Sequence, residues 1–288
     1  MSKVDATALA QAFVTACYDE LQAPKPGNVH VFSGGHRMTA QDFMDSAVVA
    51  AGPLTEAGLS VGSRILGAVE ATFARVGQNT NLGIILLCAP IAHAALAEGP
   101  GDLRARVAAT LAALDREDAE LAFEAIRIAN PAGLGAAPRH DVTGPAHVTL
   151  RAAMQAAAER DRIALQYSSD FKDLFNIGLP RLEAARARGA DKALSTLYVY
   201  VGFLTAFPDT HVVRKFGLSA GEKLVEEARA FAAETDLFER DDAFTQALRF
   251  DEELKSRGLN PGTSADLTVA TLFADYAGAV LANVHKNG

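Results

Sequence analysis

The chain has 288 residues, 49% of them hydrophobic, enough to build a sizeable core in one large domain or two small ones. Its formal net charge of −8 argues against a nucleic-acid scaffold or an anionic membrane surface, while leaving room for a local basic pocket. The two cysteines, Cys17 and Cys88, each sit in an apolar helical pattern, so a disulfide framework is not expected and a reduced cytoplasm fits.

Apolar residues recur at helical spacing from Asp5 to Leu21, and Pro24-Lys-Pro-Gly27 then breaks the pattern. Asn28 to Met38 has no periodicity and reads as a surface or active-site loop. Thr39 is the expected N-cap of the next helix, with Asp42 in the capping-box position. A helix is predicted over Val61–Val76, and Gly77-Gln-Asn-Thr-Asn-Leu-Gly83 separates it from the apolar run Leu82–Leu96. That run contains Pro90 and His93 and is too short to span a bilayer, so it reads as a core helix. Helices follow over Asp102–Leu114 and Asp118–Ala129. Residues 130–145, rich in Gly and Pro, are expected to form a mobile loop.

Thr149 to Arg162 is again helical. The stretch Gln166 to Pro180 mixes aromatic and acidic residues, with Asp170 and Asp173 three apart. Helices are predicted over Pro180–Arg188, Asp191–Ala206, Ser219–Glu234 (with a Ser219/Glu222 capping box), Phe238–Ser256, and from Pro261 to about Val284. No alternating pattern longer than four residues appears. The expected fold is a single all-α domain over residues 1–288, of about ten to thirteen ordinary helices. No basic region followed by an apolar core opens the chain, so no signal peptide is expected.

Chemistry concentrates in the breaks between helices. Asp209-Thr-His-Val-Val-Arg-Lys-Phe-Gly217 follows Pro208, which biases Phe207 away from helix and leaves Asp209 to cap the next one. His211 and Lys215 then share a face, and the turn could hold a polyanion on its cations and a divalent ion on Asp209. The alternative is a capped, charged surface turn. Lys25, between two prolines, is either an ammonium presented to a phosphate or an exposed turn lysine. His36 follows Gly34-Gly35, which permit close approach to a ligand; a solvated loop histidine is the alternative. Asn79 and Thr80 suit a ribose or phosphate, or simply cap a helix. Asp170 and Asp173 suit Mg²⁺ through oxygen ligands, or open a helix as acids. Asp266 stands one turn into the last helix, where an acid favours the dipole in any case.

At these residues the chain resembles the triphosphoribosyl-dephospho-CoA synthase family, from about Cys17 to Leu272. The family's Pro-Lys-Pro-Gly stands as Pro24–Gly27. Its Gly-x-His-x-Asp-Met stands as Gly34 to Met38 without the Asp. Its Asn-Thr-His-Lys-Gly is Asn79-Thr80-Asn81-Leu82-Gly83, with His and Lys replaced. Its Asp-Thr-Asn…Arg-Gly-Gly becomes Asp209-Thr210-His211…Lys215-Phe216-Gly217, and its Ser-Pro-Gly-Gly-Ser-Ala-Asp-Leu becomes Asn260 to Leu267. Tyr-x-x-Asp-Phe…Gly-Leu-Pro together with Asn-Thr-Asn-Leu-Gly is similar to a divergent branch found in archaea and in bacteria with tetrahydromethanopterin-linked one-carbon chemistry. By analogy, that points to a pterin or furan coenzyme precursor as acceptor.

The resemblance implies a cytoplasmic transferase that displaces adenine from ATP and passes the triphosphoribosyl group to dephospho-CoA or a related acceptor, with Mg²⁺. It implies proton transfer by His36 and His211, and stabilisation of an oxocarbenium-like ribose by Asp209 and Asp266. Phosphate and ribose contacts would come from Lys25, Gly27, Asn79, Thr80, Arg214, Lys215 and Ser264. Metal ligation would fall to Asp170, Asp173 and Asp209. A homodimer is compatible with this reading; nucleic acid and membrane partners are not expected. Two rivals are a metal-dependent phosphohydrolase and a non-catalytic helical carrier. The first wants a His…His-Asp ligand set, for which His140-Asp141 is the one available pair.

Overall fold

The computed structural model describes residues 4–34, 38–131 and 140–286. His36 of the expected catalytic set lies outside them, as does half of the expected 130–145 loop, residues 132–139. The described chain is all-α, with fourteen α-helices, one π-helical turn and no strand. In order these are α1 (Ala6–Leu21), α2 (Ala40–Thr55), α3 (Val61–Val76), α4 (Leu82–Leu96) and α5 (Leu103–Ala113). Next come α6 (Arg116–Ala129), α7 (Leu150–Ala157), α8 (Arg162–Ser168), the π turn (Leu174–Gly178) and α9 (Leu179–Ala187). The last are α10 (Lys192–Ala206), α11 (Thr210–Phe216), α12 (Leu218–Glu234), α13 (Arg240–Ser256) and α14 (Gly262–Lys286).

Three local readings change. The helix expected over Thr149–Arg162 stops at Ala157, because Asp161 accepts from the N–H groups of Ile163 and Ala164 and starts a new helix. The Ser219/Glu222 capping box does not form. Gly217 takes φ +89° and ψ 165°, a combination open to glycine, and α12 begins at Leu218, so Ser219 is already inside it. Before Pro180 the helix widens, with Leu179 N–H bonding to Leu174 O in a π turn. Proline lacks an N–H, so a regular α-helical ladder cannot continue through that position.

The chain divides into two compact units, each made of segments distant in sequence. One comprises Met1–Ala16, Asp42–Lys172 and Phe273–Gly288. Its α4 is apolar all round and almost wholly buried. Pro90 lies inside α4 and leaves Leu86 O without its helical donor; the hydroxyl of buried Tyr167 supplies one at 2.6 Å. Where α3 meets α6, Gly62 N–H bonds to Asp118 Oδ1 at 2.7 Å, and a Cβ on Gly62 would stand 2.6 Å from Asp118 Cα. The buried Arg64 guanidinium bonds to Leu54 O and Glu56 O, closing the end of α2.

The other unit comprises Cys17–Gln41 and Asp173–Leu272. Its core gathers Leu197, Tyr200, Val201 and Leu204 of α10 with Leu224 and Phe231 of α12, Phe250 and Leu254 of α13, and Ala265 of α14. Gly262–Asn283 of α14 is long and apolar enough to cross a membrane by length and composition, and 61% of its most apolar window is buried within the chain.

Candidate functional site

In the second unit, ionisable side chains are buried and paired inside the protein. Asp209 caps α11, as the Pro-Asp start predicts, but it also does more. Its Oδ1 accepts from His211 N (2.9 Å) and Val212 N (3.2 Å), and its Oδ2 accepts from Ser264 N and Ser264 Oγ (both 2.8 Å). One carboxylate thus ties the start of α11 to the first turn of α14. Thr210 Oγ1 and Thr263 Oγ1, 3.1 Å apart, and a bond from His211 N to Thr263 Oγ1 reinforce the join. Gly262 makes room for the His211 ring: a Cβ there would lie 2.7 Å from His211 Nδ1. Burial pushes the Asp209 carboxyl above its ordinary value, and the bonds from Ser264, Val212 and His211 pull it back down.

Pro24–Gly27 reaches the same place from another part of the sequence. Gly27 has φ +81°, and a Cβ on it would stand 2.8 Å from Pro261 Cδ and 3.1 Å from Leu259 O, so only glycine lets the turn lie on the approach to α14. Asn28 Nδ2 bonds to Asn260 Oδ1 at 2.8 Å, and Tyr200 OH bonds to Pro26 O at 2.7 Å. Lys25 is 0% exposed. Its Nζ donates to Glu20 Oε1 (2.5 Å), Asn28 Oδ1 (3.1 Å) and Val29 O (2.7 Å), so all three protons are used within the protein. Lys25 is therefore neither an exposed turn lysine nor an ammonium presented outward to a phosphate. Burial pushes Lys25 down and Glu20 up, and each is opposed by its partner. The Asp266 carboxylate, half-buried, is a further charge acting favourably on Lys25.

A third strand of the network is Asp251 of α13. Its Oδ1 accepts from Gly27 N at 2.8 Å and its Oδ2 from Lys255 Nζ at 2.9 Å, while His30 Nε2 stands 3.3 Å from Oδ2. Burial alone would raise the Asp251 carboxyl; His30 and Lys255 override it and hold it below the ordinary value.

The structure therefore brings together Lys25, Gly27, Asp209, His211, Ser264 and, through its charge, Asp266. Lys215 is exposed at the end of α11, its ammonium 5.1 Å from the Phe216 ring centre, and Arg214 precedes it in partial burial. Asn79 and Thr80 belong to the other unit and are hydrogen-bonded inside it. Asn79 Oδ1 accepts from Leu82 N at 3.1 Å, and Thr80 Oγ1 lies 2.6 Å from Ser46 Oγ. Asn81 reaches Thr72 Oγ1 at 3.2 Å. Asn79 thus serves the first turn of α4, while Thr80 and Asn81 bond to side chains of α2 and α3.

The expected metal ligands do not fit a resident Mg²⁺. Asp209 is saturated by four donors, Asp170 pairs with Arg151 at 2.8 Å, and Asp173 is buried and partnered. Among the described residues no group of three or more His, Cys, Asp or Glu stands in a metal-holding arrangement.

Glu20, His30, Asp251 and Lys255 were not singled out from the sequence as site residues. Two carried a readable signal. Glu20 follows Phe13 and Cys17 at core spacing, and Asp251 falls in the stripe Ala243, Ala247, Phe250, Leu254. A carboxylate at a core position must be paired inside.

The chain is matched over residues 6–284 by the CitG family model, described as ATP:dephospho-CoA triphosphoribosyl transferase. It is 29% identical, over 93% of its length and 90% of the relative's, to a protein of Stutzerimonas stutzeri (strain A1501) named "Probable 2-(5''-triphosphoribosyl)-3'-dephosphocoenzyme-A synthase". Among solved structures it is similar to one from Archaeoglobus fulgidus described as a candidate triphosphoribosyl-dephospho-coA synthase. There the TM-score is 0.62 at 25% identity, over 81% of this chain and 97% of that one. An archaeal neighbour is consistent with the divergent branch read from the motifs. A match of this extent makes the chain a transferase of coenzyme biosynthesis and a member of the triphosphoribosyl-dephospho-CoA synthase family.

Proposed function

We propose that the chain takes ATP as its complex with a divalent ion, breaks the bond between C1′ of the ribose and N9 of adenine, and joins C1′ to a hydroxyl of a dephospho-CoA-type acceptor. Adenine leaves with the bonding pair and takes a proton; the acceptor hydroxyl gives one up. The observation that carries this reading is the convergence of Pro24–Gly27, Asp209–Gly217 and Asn260–Asp266 within one compact unit, built on buried charges. Buried, mutually paired ionisable groups are where catalytic sites are found more often than chance.

The roles follow from placement. Asp266, half-buried beside the charge of Lys25, is the carboxylate to face an oxocarbenium-like C1′. His211, held at the α11–α14 join, is the proton-transfer group on described residues. Lys215 and Arg214 meet the triphosphate, and Ser264 and Gly27 shape the floor. Lys25 sets the charge at Asp266 instead of binding phosphate itself. The divalent ion enters with the triphosphate as part of the substrate. A pterin or furan precursor is the acceptor to try after dephospho-CoA. We place the reaction in the cytoplasm, with residues 1–288 acting as one functional domain and a homodimer as the assembly to test.

The deciding experiment incubates the protein with ATP, Mg²⁺ and dephospho-CoA and follows adenine, phosphate and AMP by chromatography. Acceptor-dependent adenine release that falls in Asp266→Asn is expected. Phosphate or AMP without adenine would refute the reading.

A further inference from the structure

We infer that Asp251 is a positioning residue of this transferase site: its buried carboxylate fixes the 26–33 segment, and through it the place of the Lys25 ammonium. The inference rests on the reading of the cluster as the transferase site. Nothing in the sequence motifs points to Asp251, and it acts through Gly27, His30 and Lys255.

The case begins with position. Asp251 occupies a core place on α13, 1% exposed, where a leucine would satisfy the stripe. Burying a carboxylate there is costly unless it is paired and hydrogen-bonded. The partners are not random. Gly27 N, His30 and, through Lys255, Ser33 O all belong to one stretch of chain. Lys255 Nζ donates both to Asp251 Oδ2 at 2.9 Å and to Ser33 O at 3.2 Å. One turn of α13 thus grips the segment at its start, middle and end.

That grip has one consequence at the site. Gly27 is two residues from Lys25, and Asn28 and Val29, which supply two of the three acceptors for Lys25 Nζ, lie between Gly27 and His30. The position of the ammonium is therefore set by a backbone whose two ends Asp251 holds. Tyr200 and Asn260 pin the same segment at Pro26 and Asn28 with neutral hydrogen bonds, so the charged anchor is the one that a neutral variant removes.

Asp251→Asn keeps an oxygen for Gly27 N but loses the charge that holds Lys255. In the variant, kcat for acceptor-dependent adenine release, per folded molecule by near-UV circular dichroism, is expected to fall about tenfold or more, with KM for ATP changed by less than about threefold. Lys255→Gln lies at the rim, with its side chain 15% exposed, and removes the same anchor from outside. It is expected to give a smaller loss with the same split, and it decides the matter if Asp251→Asn does not fold. Unchanged kcat per folded molecule in the folded variants, or a loss confined to KM, overturns the role of Asp251 alone. A wild type that releases no adenine, or an Asp266→Asn that releases it normally, overturns the transferase reading and this inference with it.

Discussion

In the unit that carries Tyr167, the buried Tyr167, Arg64 and Asp118 side chains serve backbone groups, and the side-chain pairs Ser46–Thr80 and Asn81–Thr72 are neutral. Tyr167 answers the carbonyl stranded by Pro90, Arg64 answers the end of α2, and Asp118 answers Gly62 and the α6 cap. In the unit that carries Asp251, buried polar side chains answer one another: Glu20 with Lys25, Asp251 with Lys255 and His30, and Asp209 with two helix starts at once. The first pattern repairs local defects of sequence and should fail one piece at a time. The second joins segments up to 224 residues apart, as from Asp251 to Gly27, and should fail as a whole. Stability alone would not ask for the second pattern, because apolar residues of similar volume often serve as well as buried ion pairs.

The largest effect should come from the join at Asp209. Asp209→Ala strips acceptors from Ser264 N, Ser264 Oγ and Val212 N inside the protein, and its unfolding midpoint in urea should fall by the equivalent of about 3–5 kcal/mol. Adenine release should be lost with it. Ser264→Ala should cost less alone and add little on top of Asp209→Ala, a shortfall of about 1–2 kcal/mol from additivity. Additive losses would break the comparison, since they would make Asp209 another isolated cap.

Tyr167→Phe tests the other unit. Leu86 O would be left buried without a donor, at a cost of about 1–3 kcal/mol. Replacing Pro90 by Ala restores an N–H to the helix, so in that background the same change should cost much less. Both variants should keep kcat. A Tyr167→Phe protein of full stability would show that the carbonyl finds water, and the contrast between the units would blur.

Much of the fold could be read directly. The 3.6-residue period located α1, α3, α4, α10 and α13 within a residue or two, and the aspartate before α11 was visible as a cap. Boundaries that turn on a single competing group were not visible, such as Asp161 restarting a helix or Gly217 absorbing a sharp bend. In the site, Asp209 and Lys25 stood out by composition, yet their environments could not be foreseen. The sequence shows that a lysine lies between prolines. It does not show that Glu20, Asn28 and Val29 fold around its ammonium. Asn79 and Thr80 illustrate the reverse: residue types suited to a ribose that the fold uses in its own hydrogen bonds.

Asn79→Ala sharpens that last point. Its side chain caps the first turn of α4 through Leu82 N, and losing an N-cap costs about 1 kcal/mol. The expected result is a thermal midpoint lowered by that amount and an unchanged KM for ATP. A KM that rises several-fold with stability intact would return Asn79 to the ligand-binding set.

The smallest effect is a change of slope with pH, and it concerns His30. Burial pushes its imidazole below the ordinary value of 6.5; Asp251 opposes this, and the charges on Lys255 and Lys25 reinforce it. The folded protein therefore keeps His30 neutral in a range where the unfolded chain protonates it. A base with a lowered folded pKa leaves the unfolded state holding more protons, so stability rises with pH through that range. His30 thus adds nothing adverse above pH 6.5, and its neutrality costs stability progressively as pH falls below 6.5. Asp251, held below 3.8, contributes stability that is lost only at more acid pH, as the carboxylate protonates. The two losses occupy separate windows. His30→Gln should flatten the stability curve just below pH 6.5 and, by removing one of the two groups that hold Asp251 down, weaken the more acid limb while Lys255 keeps part of it. The check is urea unfolding at a series of pH values, subtracting the variant from the wild type. A flat difference just below pH 6.5 would mean that His30 protonates alike in both states, and that the buried pairing with Asp251 does not govern this imidazole.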